Sequence, residues 1–142
     1  MTEVVVDASV TAMWVVEEDH SANAALLLDY EKLHAPSHWR AEAANVLWAK
    51  VFRGDLTAED AEERMSVLNR APVVDSATAG LMPRAFAISV AHAVTVYDSL
   101  YVALAEELDV PFVTADQELI RRLAGDARLG PRMVWIGGMS GA

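Results

Sequence analysis

The chain has 142 residues, 54% of them hydrophobic, which is enough apolar side-chain volume to fill a two- or three-layer core in one domain. It contains no cysteine, which excludes disulfides, thiolate metal sites and cysteine nucleophiles together and agrees with a reducing cytoplasm. Asp and Glu number 21 against 11 Lys and Arg, a net charge of −10, so the overall field repels nucleic acid and argues against a protein that passively coats DNA or RNA.

In chain order, Val4-Val5-Val6 is a β-branched run that suits a strand buried on both faces of a parallel sheet, with Asp7 at its carboxyl end. Val10 to Val16 and Ala22 to Tyr30 read as helices, and Leu33 to Pro36 as a second strand stopped by proline. From Trp39 to Arg53 the residues Ala43, Val46, Leu47 and the stem of Lys50 recur at helical spacing, and Gly54 ends the pattern. Thr57 to Asn69 opens with a capping residue and an acidic first turn, then points Met65 and Leu68 inward, which predicts another helix. Pro72 to Asp75 reads as a third strand, Leu81 to Ala93 and Thr95 to Leu108 as two helices, and Pro111 to Thr114 as a fourth strand. Gln117 to Leu123 reads as a short helix and Met133 to Ile136 as the last strand. Strands alternating with helices predict an α/β layer fold with a mainly parallel sheet over residues 1–136. The small, Gly-rich residues 137–142 are expected to form a flexible C-terminal tail. Charge interrupts every apolar stretch before it could span a bilayer, and Met1-Thr2-Glu3 lacks the basic region of a signal peptide, so a soluble cytoplasmic protein is expected.

In open α/β sheets, ligands bind beyond the carboxyl ends of the strands, and Asp7 and Asp116 both fall at that edge. Asp98 lies in the first turn of the helix after Thr95, between Val96-Tyr97 and an Ala- and Leu-rich run. Glu42 stands among Ala41, Ala43, Ala44 and Val46, surroundings too apolar for an ordinary solvated charge. Two carboxylates roughly 4 Å apart repel by about 4 kcal/mol at an effective dielectric of about 20, so a cluster of them calls for a cation or a shared proton. Magnesium or manganese is the natural compensator: hard divalent cations prefer carboxylate and water oxygens and bridge to substrate phosphate, which points to phosphodiester hydrolysis. Structural alternatives stand beside this reading. Thr95 with Asp98, and Thr114 with Gln117, are spaced as capping boxes, and Asp7 and Asp116 could be ordinary turn residues.

The same residues sit in four ordered motifs: Val4-Val5-Val6-Asp7-Ala8-Ser9, Glu42-Ala43-Ala44-Asn45-Val46-Leu47, Tyr97-Asp98-Ser99-Leu100-Tyr101-Val102-Ala103-Leu104-Ala105 and Val113-Thr114-Ala115-Asp116-Gln117-Glu118-Leu119. Together they span nearly the whole chain, and in this order the sequence closely resembles PIN domains, within them the VapC-type toxins of bacterial toxin–antitoxin pairs. The resemblance implies a three-layer α/β/α fold, Mg2+- or Mn2+-dependent endoribonuclease activity on RNA, homodimerisation, and inhibition by a cognate antitoxin. It implies that Asp7, Glu42, Asp98 and Asp116 form the catalytic metal site, that Ser9 and Thr114 are hydroxyl supports, and that Asn45 orients the site from one turn beyond Glu42. Ser99 replaces an alanine often seen after the third acid, and Leu119 stands where some relatives carry a further acid, which leaves the number of metals open.

Rival readings are weaker. His34 and His38 have a helical ligand spacing, but Pro36 between them breaks the helix it would require, which favours loop or surface roles. A phosphoaspartyl enzyme would use an aspartate after the first strand, yet it usually adds a second nearby acid and a lysine, and the only lysines are Lys32 and Lys50. A PIN-like protein-interaction module without activity is opposed by the intact acidic quartet. Trp14, Trp39, Trp48 and Trp135 could mark an interface, although large aromatics more often fill cores. Lys50, Arg53, Arg121 and Arg122 are the candidates for phosphate contacts, two following Glu42 along its helix and two following Asp116.

Overall fold

The β-branched run at the start of the chain becomes the centre of a five-stranded sheet in the computed structural model, which describes residues 2–139. Strand β1 (Glu3–Val6) lies between β2 (Lys32–Pro36) and β4 (Phe112–Thr114), with β3 (Val73–Ser76) and β5 (Met133–Trp135) at the two edges. Every pairing is parallel, with Val5 opposite His34 on one side and Phe112 on the other. Val4, Val5 and Val6 are fully buried, as a central strand covered on both faces requires. Val74 on the β3 edge is exposed.

The strand order β3-β2-β1-β4-β5 reverses direction at β1 and β4, the place where an open parallel sheet leaves a crevice beyond its carboxyl ends. Around the sheet lie α1 (Ala8–Thr11), α2 (Ser21–Leu26), α3 (Trp39–Phe52), α4 (Ala58–Asn69), α5 (Met82–His92), α6 (Val96–Leu108) and α7 (Gln117–Leu123). Helix α6 packs against β1, β2 and β4 and is backed by α5; α1 packs on β4 and α3, and α7 on β5. The α/β class with helices flanking a parallel sheet is the one the alternation of strands and helices predicts. No single helix among the described residues is long and apolar enough to cross a membrane.

Three expectations change. The helix read over Val10 to Val16 starts at Ala8, stops at Thr11 and tightens into a 3-10 turn over Ala12–Trp14. The one read over Ala22 to Tyr30 becomes α2 and a 3-10 turn at Leu27–Asp29. The two shortened pieces are tied together: the Trp14 indole Nε1 donates to the Ala24 carbonyl at 2.8 Å, so the need of a part-buried indole for an acceptor sets the packing there. At the other end, Ile136 is buried in a 3-10 turn (Ile136–Gly138), and its carbonyl accepts from Asn23 Nδ2 at 3.0 Å. Gly137 and Gly138, the first residues of the expected tail, lie in that turn, and residues 140–142 lie outside the described ones.

Candidate active site

Asp7 leaves the end of β1 with its backbone N–H donating to the Val113 carbonyl of β4, so the two central strands hold its backbone from one side. Its side chain is buried, and Oδ2 accepts from Thr114 Oγ1 at 2.7 Å and Ser9 Oγ at 2.9 Å. Both hydroxyls accept in turn, Ser9 from the Ala115 N–H and Thr114 from the Asp116 N–H, which locks them as donors toward Asp7. Burial pushes the Asp7 carboxyl up, the two hydroxyls pull it down, and the charges of Asp98 and Glu42 raise it further, to about 6.

Glu42 projects from the first turn of α3. Tyr101 of α6 donates its hydroxyl to Glu42 Oε1 at 2.7 Å. The imidazole Nε2 of His38 lies 3.2 Å from the same oxygen but off the line of a directed hydrogen bond, and both ring nitrogens of His38 are buried without one. Burial raises the Glu42 carboxyl, but His38 and Tyr101 outweigh it and the net shift is downward. Burial and the nearby carboxylates keep the Tyr101 hydroxyl far above its usual range, so it stays protonated and can only donate to Glu42. The ring of His38 leans on Tyr101 (centroids 5.1 Å apart) and Tyr97 (5.9 Å). The loop or surface role expected for His38 is therefore corrected: Pro36 does separate it from His34, but the start of α3 carries it into the site, one helical turn before Glu42.

Asp98 follows Thr95, whose Oγ1 accepts from the Asp98 N–H at 3.1 Å. The backbone of Asp98 thus serves the cap while its carboxylate, which Thr95 also pulls down, lines the cleft. Burial raises that carboxyl, and the charges of Asp116 and Glu42 raise it further. At α7 the expected pairing of Thr114 with Gln117 is replaced: Asp116 is itself the N-cap, its Oδ1 accepting from the Leu119 N–H at 3.0 Å. Thr114 lies two residues before the N-cap, where its hydroxyl donates to Asp7 and accepts the Asp116 N–H instead of one from the helix.

Asp7, Glu42, Asp98 and Asp116 all line one cleft of about 590 Å³, together with Ser9, Asn45, His38 and Tyr97. The four basic candidates do not line it: Lys50 pairs with Glu18 at 3.0 Å, Arg53 with Asp55 at 3.5 Å, and Arg121 and Arg122 with Glu118. A second cleft of about 580 Å³, at Glu106, Asp109, Arg128 and Arg132, mixes acids with bases that pair, such as Arg132 with Asp109 at 2.9 Å. Of the tryptophans, Trp39 is core and donates to Asp75, whereas Trp48 is exposed and stacks on Phe52.

The model of the PIN domain matches residues 4–126, most of the chain. The chain belongs to the PIN-domain family. Within it, this PIN domain groups with VapC proteins: Ribonuclease VapC3 of Pyrobaculum aerophilum is 36% identical over 124 residues, 84% of this chain and 94% of that relative. The crystal structure of PAE2754 from Pyrobaculum aerophilum shares the fold with a TM-score of 0.73 at 21% identity, covering 96% of this chain and 90% of the other. A toxin–antitoxin complex from Klebsiella pneumoniae shares it with a TM-score of 0.62 at 13% identity, covering 92% and 95%.

The donor set of this PIN domain suits a hard divalent cation. All four acids offer carboxylate oxygens, Oδ1 of Asp7 has no protein donor among the described residues, and burial together with mutual repulsion raises Asp7 and Asp98. Among the described residues, no three His, Asp or Glu side chains are already drawn into a metal-holding group. The four carboxylates line the cleft without closing into such a group.

Proposed function

We propose that this PIN domain is a Mg2+- or Mn2+-dependent endoribonuclease that hydrolyses RNA phosphodiester bonds in the cytoplasm as the toxin of a toxin–antitoxin pair, and that it works as a homodimer. The observation behind this reading is the meeting of Asp7, Glu42, Asp98 and Asp116, from four separate parts of the chain, in one cleft at the switch point of the sheet. It is supported by the ribonuclease name of the relative from Pyrobaculum aerophilum and by the toxin–antitoxin complex among the structural neighbours. The four carboxylates would hold the cation, which when bound lowers the pKa of a water and stabilises the leaving oxygen. The chain's own part is to aim the ligands. Ser9 and Thr114 occupy Oδ2 of Asp7 and leave Oδ1 for the cleft, while Tyr101 occupies Oε1 of Glu42 and leaves Oε2. Asn45, one turn beyond Glu42 on the cleft wall, is placed to orient what binds there. A dimer face is offered by Met82, Phe86 and Val90, exposed at four-residue spacing along α5.

Calorimetric titration with Mn2+, run beside cleavage of a panel of structured cellular RNAs, tests the reading with wild type and Asp7→Asn. The wild type is expected to bind the cation and cut RNA, and Asp7→Asn to lose both. Wild-type protein that binds Mn2+ yet leaves every RNA intact would end the enzyme reading in favour of an interaction module. Sedimentation of the free protein as a monomer would remove the dimer.

A further inference from the structure

An RNA strand brings one negative charge per nucleotide to a chain whose own net charge is −10. Nucleases commonly meet that problem with Lys and Arg along the binding groove, and here no Lys or Arg lines the acidic cleft among the described residues. A cation bound by the carboxylates can neutralise the phosphate it touches, but not the flanking nucleotides. Within the cleft, a flanking nucleotide is therefore held by contacts that do not depend on charge.

Tyr97 supplies the surface for one. It sits in the first turn of α6, immediately before Asp98, lines the cleft, and is 64% exposed. Its ring rests at a tilt of 48° on His38, which rests on Tyr101, which stacks on the buried Phe112 at 24°. The ring is thus backed through His38 by a wall that runs into the core while most of its surface is open to solvent. The exposed pair Trp48 and Phe52, by contrast, stack on each other and line no part of this cleft. Burying so large an aromatic surface is favourable, and leaving it on the lip of a cleft makes sense where a flat apolar group is to be received.

We propose that Tyr97 is the stacking platform for an unpaired base of the RNA strand, next to the phosphate held at the acidic site; the proposal rests on the ribonuclease reading. Every base has a π-face, so the platform accepts all four, and only a base splayed out of a helix can reach it. The ligand class is accordingly single-stranded RNA, or a loop, rather than duplex. Because stacking replaces phosphate contacts, binding there responds weakly to monovalent salt.

The test uses a short single-stranded RNA carrying 2-aminopurine, whose fluorescence is quenched on stacking, with the full chain in Ca2+ so that binding is read apart from cleavage. Wild type and Tyr97→Phe are expected to quench the probe with similar dissociation constants. Tyr97→Ala is expected to lose the quenching and bind about tenfold or more weakly, the size of one lost base–aromatic stack. The same RNA with an abasic site in place of 2-aminopurine should bind all three proteins equally weakly. Tyr97→Ala that quenches and binds like wild type, or wild type that gives no quenching, overturns the platform. Mn2+-dependent cleavage by wild type, of this RNA or of any in the structured panel, scores the ribonuclease reading separately: all of them left intact sinks that reading, while cleavage with unchanged binding by Tyr97→Ala sinks only the platform.

Discussion

Asp7 is the most buried of the four acids, and its two hydroxyl donors are not enough to keep its carboxyl in the ordinary range. A carboxyl raised to about 6 holds its proton more tightly in the folded than in the unfolded chain. The stability it contributes is therefore complete below about pH 4 and is lost as pH rises through 6, about 3 kcal/mol for a shift of roughly two units. Asn in its place still accepts from Ser9 and Thr114 but carries no charge. Without metal, Asp7→Asn should thus melt above wild type at pH 8 and level with it at pH 4, which thermal melts in chelator can show; a lower melting point at pH 8 would contradict the electrostatic account. Asp98→Asn should abolish cleavage and leave apo stability equal or higher, because the cap at Thr95 uses the backbone N–H that Asn retains. A large drop in apo melting temperature would return Asp98 to a structural role. The four acids and the two hydroxyls were legible in the sequence, since each lies in a motif or at a strand end. His38 and Tyr101 were not. The spacing of His38 from His34, across Pro36, is uninformative, and its partner is Glu42 four residues on; the hydroxyl of Tyr101 reaches a carboxylate 59 residues away in sequence, a pairing that helical spacing does not reveal.

At the scale of elements, the site depends on the starts of α3 and α6 meeting over the ends of β1 and β4. Tyr101 is the joint, its ring stacked on Phe112 of β4 and its hydroxyl on Glu42 of α3. Tyr101→Phe keeps the ring and removes the donor. Glu42 is partly exposed, so water can take over Oε1 and the stability cost should be about 1 kcal/mol or less. A ligand freed to turn is another matter: loss of such a supporting hydrogen bond typically lowers metal affinity about tenfold or more. Mn2+ calorimetry beside urea unfolding separates the two effects, and unchanged Mn2+ affinity would show that Tyr101 only packs. The long helices and the strands were readable because period and caps agree there, as at Thr57 and Thr95. The pieces over Ala8–Trp14 and Ser21–Asp29 were not, because the hydrogen bond from Trp14 to Ala24 is tertiary and leaves no trace in local periodicity.

The whole molecule repels RNA at a distance and attracts basic partners, since a charge of −10 sets the sign of its long-range field. An antitoxin suited to this PIN domain therefore has a cation to place among Asp7, Glu42, Asp98 and Asp116, and Arg fits best because its planar fork pairs with carboxylates in bidentate fashion. The first helices offer such an antitoxin no apolar surface, since Val10 is buried and Trp14 and Val15 are partly so. Trp48 and Phe52, on the same helix as Glu42, offer one exposed apolar surface. Complex formation should then lower both Mn2+ affinity and RNA cleavage, because one cation excludes the other. It should weaken as salt is raised, and Trp48→Ala should weaken it further while free-enzyme cleavage stays at the wild-type rate. A purified complex that binds Mn2+ and cuts RNA as the free chain does would show that inhibition, if any, acts away from the carboxylates.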